Sequence, residues 1–311
     1  MVIDSHVHLF FEESDPEEFF LGSARVGAAF FGKEKGESID ASQMYQQSIK
    51  ILSDKDGSRI IKEMNKADID MAILLPLDFW LKFPTSENRG ISIKEKNEIY
   101  ANVVETYPDR LKTYYGIDPR RKDAVAQLEH AMKHWEPVGL KIHPTAGFYP
   151  DDPVCYPLYK VASDYGLPIL IHSGNEPAPM AIKYSHPMYI DTVAADFPET
   201  TIIIAHCGHG WWRQSIDFAS MKPNLYVDFS GWQFVYTQNP DYFWKPLRMA
   251  IDILGPWRVL FGTDGSMLDV ILSPKKWVKA VTAPNKTTSI PFSEREIEIF
   301  TEKAAEKLYS L

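Results

Sequence analysis

Eight short runs of apolar residues, rich in β-branched side chains, recur along the 311-residue chain, and each gives way to polar or turn-forming residues. They are VIDSHVH (2–8), MAILLPL (71–77), LKTYYGI (111–117), VGLKIHP (138–144), LPILIHSG (167–174), TIIIAHCG (201–208), LYVDFSG (225–231) and RVLFGTDG (258–265). A run that is apolar at consecutive positions has no polar face to offer to water. It predicts a strand buried on both sides, the environment of a parallel sheet. Helical patterns lie between the runs. DAVAQLEHAMKHW sets Val125, Leu128, Met132 and Trp135 on one stripe, and SEREIEIFTEKAAEKLYSL opens with the capping-box pair Ser293 and Glu296. Eight strand–helix units with right-handed crossovers predict an α/β fold, a (β/α)8 TIM barrel; a doubly wound open sheet is the competitor. Neither GxGxxG nor GxxxxGK[ST] occurs to favour the open sheet.

One segment breaks the rhythm. Residues 9 to about 55, including FFEESDPEEFFLGSARVGAAFFGKEKGES, are too long for a simple βα loop. In a barrel, an insertion after strand 1 sits above the C-terminal face, so this distorted barrel is expected to carry a lid or specificity region there; a solvated or oligomer-contacting excursion is the alternative. No repeat, linker or composition shift divides the chain, and residues 1–311 read as one domain.

Composition narrows the functional classes. A hydrophobic fraction of 45% supplies a sizeable core, while a net charge of -9 provides no basic excess for nucleic acid. No stretch of roughly 18 apolar residues could span a bilayer, and no basic-then-apolar leader pattern opens the chain, so a cytoplasmic protein without a membrane partner is expected. Cys155 and Cys207 are far apart and form no CxxC pattern. Both are expected to be reduced, packed thiols.

The ionisable residues fall at strand ends, where barrel active sites are built. His6 and His8 are two apart on strand 1, so alternation places both imidazoles on one face, within reach of one metal ion. Lys141 and His143 end strand 4, His172 strand 5, His206 strand 6 and Asp264 strand 8. A histidine at the end of an apolar run is commonly structural, but five such positions on one rim point to a site for zinc or a comparable divalent ion. Such an ion lowers the pKa of bound water toward about 7 and polarises a carbonyl.

With IDSHVH, GLKIHP, PILIHSG, IIIAHCG and LFGTDG in this order, the chain resembles the amidohydrolase superfamily over nearly its whole length. The resemblance is to the amidohydrolase-2 family, typified by aminocarboxymuconate semialdehyde decarboxylase. It implies that His6, His8 and His172 hold one metal, with Asp264 as a further ligand or as the acceptor of a proton from water, and that His206 is the non-ligand acid/base. It implies one divalent ion, zinc first, with manganese and cobalt as alternatives. A second metal bridged by a carboxylated Lys141 is the minor alternative. A homodimer is the common assembly in the family.

Both hydrolysis and decarboxylation occur on such a centre. His172-Ser173-Gly174 stands where the decarboxylases usually carry His-Pro, and AHCGHGWW is also unlike their strand-6 segment. The expectation is therefore a metal-dependent hydrolase of a small cyclic or aromatic amide, lactone or carbonyl compound. The alternatives are a non-oxidative decarboxylase of a small aromatic or unsaturated acid and a catalytically silent binding barrel. Arg25 or Arg213 could hold a substrate carboxylate. Trp80, Trp211 and Trp232, with Phe79, Phe148, Tyr149, Trp212, Phe234 and Tyr236, are expected to wall the pocket, and Lys141, His143 and His209 to touch substrate. His130 and His134 read as surface residues of an outer helix, and His186 is a weak candidate for the site.

Overall fold

In a computed structural model, which describes residues 1–84 and 90–311, all eight apolar runs form strands. The strands are β1 (Ile3–Val7), β2 (Met71–Leu74), β3 (Leu111–Thr113), β4 (Tyr115–Gly116), β5 (Leu140–Ile142), β6 (Ile169–Ile171), β7 (Ile202–Ile204), β8 (Leu225–Phe229) and β9 (Val259–Phe261). All pairings are parallel, in the orders β1-β2-β3 and β4-β5-β6-β7-β8-β9. The run LKTYYGI supplies two strands, broken only at Tyr114. The Tyr114 amide donates to Leu74 O at 2.9 Å and the Tyr115 amide to Gly139 O at 2.8 Å, so one barrel strand pairs first with one neighbour and then with the other. At the other seam, the Asp264 amide donates to His6 O (2.8 Å) and the His8 amide to Gly265 O (2.6 Å), around a parallel Val7–Gly265 bridge. These bonds link the last strand to the first.

Alternation along these short strands separates two cores. Ile3, Ile73, Leu170, Ile203 and Leu260 form one cluster with Tyr114 and the C-terminal residues Ile299, Ala304, Ala305 and Tyr309. Their sequence neighbours Ala72, Leu74, Ile169, Ile171, Ile202, Ile204 and Val259 join the larger cluster with the surrounding helices. The same period of two places Lys141 and Asp228, each flanked by residues of the larger cluster, on the opposite, interior side. The helix Ala124–His134 buries Leu128 and packs Val125, Met132 and Trp135 against the larger core, and the Ser293–Glu296 capping box forms. His130 and His134 are exposed, and both cysteines are buried and free.

The insertion folds into two helices, α1 (Glu17–Lys35) and α2 (Ala41–Leu52), followed by α3 (Ser58–Ala67). Asp40 caps α2 by accepting from the Gln43 amide at 2.7 Å. Phe19, Phe20 and Tyr45 pack as an aromatic cluster, which fastens the two insertion helices together. Among the described residues, no helix is long and apolar enough to cross a membrane.

Candidate metal centre and active-site cavity

His6, at the end of β1, and His8, just after it, bring their Nε2 atoms within 3.2 Å of each other. Asp264 Oδ1 lies 3.5 Å from His6 Nε2 and 3.3 Å from His8 Nε2. Their other ring nitrogens are already engaged: His6 Nδ1 with Asp228 Oδ2 at 3.0 Å, and His8 Nδ1 with Leu75 O at 2.6 Å. A carbonyl or an ionised carboxylate can only accept, so each Nδ1 carries the hydrogen and each Nε2 presents a lone pair. Two lone pairs and a carboxylate oxygen then converge with no proton among them. That arrangement repels itself unless a cation sits between, and separations of about 3.3 Å are those of ligands around one zinc-sized ion. The residues therefore fit a divalent metal.

For His6 the electrostatics agree with a neutral ring. Burial pushes the pKa of His6 down to about 3, with Lys141 adding to the effect, so the ring is neutral. Burial alone would raise the carboxyl of Asp264, but His206, His8 and His6 hold it well below the ordinary range. Asp228 is likewise held below the ordinary carboxyl range although burial opposes its charge, with His6, which donates to it from Nδ1, as its main partner. Asp228 also accepts from the backbone amides of His206 (2.9 Å) and Ser230 (3.0 Å). One buried carboxylate thus orients a ligand ring, the turn bearing His206 and the loop after β8.

That turn is strained. His206, Cys207 and His209 have φ of 57°, 46° and 45°, and Asp264 has φ of 54°, values in the left-handed region that non-glycine residues avoid. The strain sets His206 Nε2 3.2 Å from His172 Nδ1 and leaves His206 Nδ1 at 3.1 Å from Ser230 O. Gly231 is glycine because a Cβ there would lie 3.0 Å from His209 Nε2 and 3.1 Å from both Asp264 Oδ2 and His206 Nδ1. His209 stacks on His206 with ring centres 4.8 Å apart.

A second group faces this one. His143 and His172 stack at 3.9 Å, and Glu176 Oε1 lies 3.2 Å from His143 Nε2 and 3.5 Å from His172 Nε2. Lys141 is buried beside them, and its ammonium has no hydrogen-bond partner among the described residues. Burial lowers its pKa to about 8, against the pull of Asp228, Asp264 and Glu176; burial raises Glu176 to about 8. His172 Nε2 likewise lacks a hydrogen-bond partner.

Most of these imidazoles, with Lys141, Glu176 and Asp264, face a cavity of about 610 Å³. The structure brings His8, Lys141, His143, His172, His206, His209, Trp232 and Asp264 to its wall, with His6 directly behind. His172 groups with His143 and Glu176 rather than with the tight trio of His6, His8 and Asp264. Arg25 and Arg213 are exposed and do not line the cavity, Arg213 lying over Trp212 instead. Trp80 is buried outside it, and Trp211 packs on His186. The expected aromatic wall holds for Trp212, Trp232 and Phe234, while Phe10, Phe19, Phe20 and Tyr45 come from the insertion and its approach. Asp228 and Glu176 were not singled out from the sequence. The signal for Asp228 was a lone carboxylate inside an apolar strand, which cannot be buried without donors.

Comparison with known proteins decides the family. The model of the amidohydrolase family (Amidohydro_2) matches residues 3–311. The chain belongs to the amidohydrolase-2 family. By family the chain is an enzyme of the amidohydrolase type. Among solved structures it is similar to 5-carboxyvanillate decarboxylase from Novosphingobium aromaticivorans, complexed with manganese and 4-hydroxy-3-methoxy-5-nitrobenzoic acid (17% identity, 100% of this chain and 96% of that one, TM-score 0.70). It is similar too to a dihydroxybenzoic acid decarboxylase from Polaromonas with bound manganese and 2-nitroresorcinol (19%, 100% and 97%, 0.66). A third is a probable 2-pyrone-4,6-dicarboxylic acid hydrolase from Acinetobacter baumannii (13%, 100% and 99%, 0.66). At these identities the likeness establishes the TIM-barrel fold. A curated relative, Protein fluG of Emericella nidulans, is 26% identical over 98 residues, 32% of this amidohydrolase but 11% of that protein.

Proposed function

We propose that the protein is a metal-dependent carboxy-lyase that removes the carboxyl group of an aromatic acid as CO2. The observation that carries this reading is Lys141, a buried ammonium on the cavity wall beside His6, His8 and Asp264 that has no hydrogen-bond partner among the described residues. A neutral amide or lactone would leave that charge without a partner, whereas a carboxylate would satisfy it. The similar structures, two of them aromatic-acid decarboxylases, support the same choice over the hydrolysis that the residues after His172 favoured.

Those residues have another explanation. Ser173 Oγ donates to Ser185 O at 2.7 Å, and a Cβ on Gly174 would meet His209 Nδ1 at 2.8 Å. Ser173 and Gly174 therefore anchor a loop and make room for His209, which is a packing role indifferent to the reaction.

A divalent ion held by His6, His8 and Asp264, with His172 as a further ligand, would supply Lewis acidity to a carboxylate and an adjacent phenolic oxygen. Lys141 pairs with the carboxylate and orients it. The apolar walls exclude water and favour departure of a neutral molecule. His206 delivers the proton: the ring carbon loses its bond to CO2 and gains a bond to hydrogen, consuming one proton overall. Burial, the largest influence on His206, lowers its pKa: fewer rings carry the proton at neutral pH, and one that does is a stronger acid. Trp232 steadies the turn by donating from Nε1 to His206 O at 3.1 Å.

Hydrolysis is the second reading, and its support is the ionised Asp264, a base able to take a proton from water. With the preferred reading go a single catalytic domain over residues 1–311, one divalent ion (zinc first, manganese or cobalt as alternatives), a cytoplasmic location and a homodimer. A panel of hydroxybenzoic acids and aromatic lactones, assayed for CO2 and for new carboxylate, tests the reaction. CO2 in one-to-one ratio with acid consumed supports the carboxy-lyase. New carboxylate from a lactone with no CO2 from any acid overturns it.

A further inference from the structure

We infer that the substrate bears one anionic group at the metal end and a long, uncharged apolar substituent, an alkyl chain or second ring, that fills the outer chamber of the cavity. This deepens the carboxy-lyase reading and rests on it.

The cavity has two unlike ends. Among the described residues, its charged and imidazole side chains come only from β1, the strands β5, β6 and β7, and the loops that follow them and β9. The remaining wall, built by α1, α2 and residues 234–271 apart from Asp264, contains no Asp, Glu, Lys, Arg or His. A phosphate or a second carboxylate buried there would meet no counter-charge, only the scattered hydroxyls of Ser23, Tyr45, Ser48 and Tyr242. Apolar groups meet no such penalty.

Size points the same way. A monocyclic hydroxybenzoate of roughly ten heavy atoms displaces on the order of 200 Å³ at protein-like packing. The cavity of about 610 Å³ is several times larger and is of the size that holds a drug-like molecule. The space exists because Ser23, Ala24 and Gly27 on α1 and Ser48 on α2 present small side chains to it. At the mouth the apolar surface continues outward: Val26, Tyr242 and Val270 line the cavity yet are 46%, 58% and 41% exposed. Apolar surface left in water at a pocket mouth marks where an apolar ligand is completed. The compact acid expected from the sequence would leave this chamber wet.

The test is a series of 2-hydroxybenzoic acids carrying hydrogen, methyl, butyl, hexyl or phenyl at the 5-position. It runs in parallel with the matching 4-substituted 2-nitrophenols, which cannot lose CO2, titrated calorimetrically into metal-loaded protein. Affinity for the nitrophenols should rise roughly three- to fourfold per methylene from methyl to butyl, and kcat/KM for the acids should follow. Ser48→Trp should reverse the order, lowering the hexyl-to-methyl ratio of affinities by at least about tenfold. Affinity that is flat or falls with chain length overturns the chamber proposal, whatever the turnover. Affinity that rises while no acid releases CO2 upholds the chamber and refutes the carboxy-lyase reading.

Discussion

The rim of this barrel has two sides, both rich in imidazole, that differ in how their polar atoms are satisfied. On the side of β1 and β9, every ring nitrogen facing away from the centre is engaged: His6 by Asp228 and His8 by the Leu75 carbonyl. The atoms left over are lone pairs aimed at one point. On the side of β5 and β6, the Lys141 ammonium and His172 Nε2 have no hydrogen-bond partner among the described residues. The first side is organised before anything binds, which is what holding a metal in one geometry requires. The second side is under-satisfied: the Lys141 ammonium calls for an anionic substrate, and the His172 lone pair for the metal that it would reach as a further ligand.

Substitutions on the two sides should therefore fail differently. The largest effect is expected from His8→Ala, which should abolish stoichiometric metal, read by elemental analysis, and with it at least about 10³-fold of the activity. Retention of a full metal equivalent would show that the trio is not the ligand set. His206→Asn should lower kcat by roughly 10²- to 10⁴-fold while metal content is unchanged, because proton transfer and not binding is removed. Full activity would take His206 out of the mechanism. Asp228→Asn, which never touches the metal, should weaken metal affinity about 10- to 100-fold in a competitive chelator titration by loosening His6. On the other side, Lys141→Met should raise KM about tenfold with metal affinity intact; a loss of metal instead would mean that the two sides are one site. The smallest effect belongs to Ser173→Ala, which should keep kcat/KM within about twofold and lower Tm by only a few degrees. A large drop in kcat would give Ser173 a chemical role that its bond to the Ser185 carbonyl does not foresee.

What could be read from the residues alone follows from how local each signal is. The strands were legible because Ile202–Ile204 and its counterparts are apolar at consecutive positions, and the HxH pair because alternation is a property of one strand. The break at Tyr114 was not, since it arises where one strand changes partners. Asp228 and Glu176 act through side chains from other elements, His6 being 222 residues from Asp228 in sequence, so only the closed barrel reveals them. Arg25 and Arg213 were misplaced for a related reason: which face of a helix meets the cavity depends on how the helix is docked, and both residues are exposed. The insertion was legible as a segment placed over the C-terminal face, either a lid or specificity region or a solvated excursion, but not as the two helices that line the cavity. His172-Ser173-Gly174, taken as a sign of the reaction, is accounted for by a loop anchor and a close approach to His209.

Metal content per chain, measured on protein purified without added metal or chelator, tests the central claim most directly. The geometry of His6, His8 and Asp264 predicts about one equivalent of a divalent ion, lost in His8→Ala. Near-zero metal, with no activity gained on adding zinc, manganese or cobalt, would contradict it.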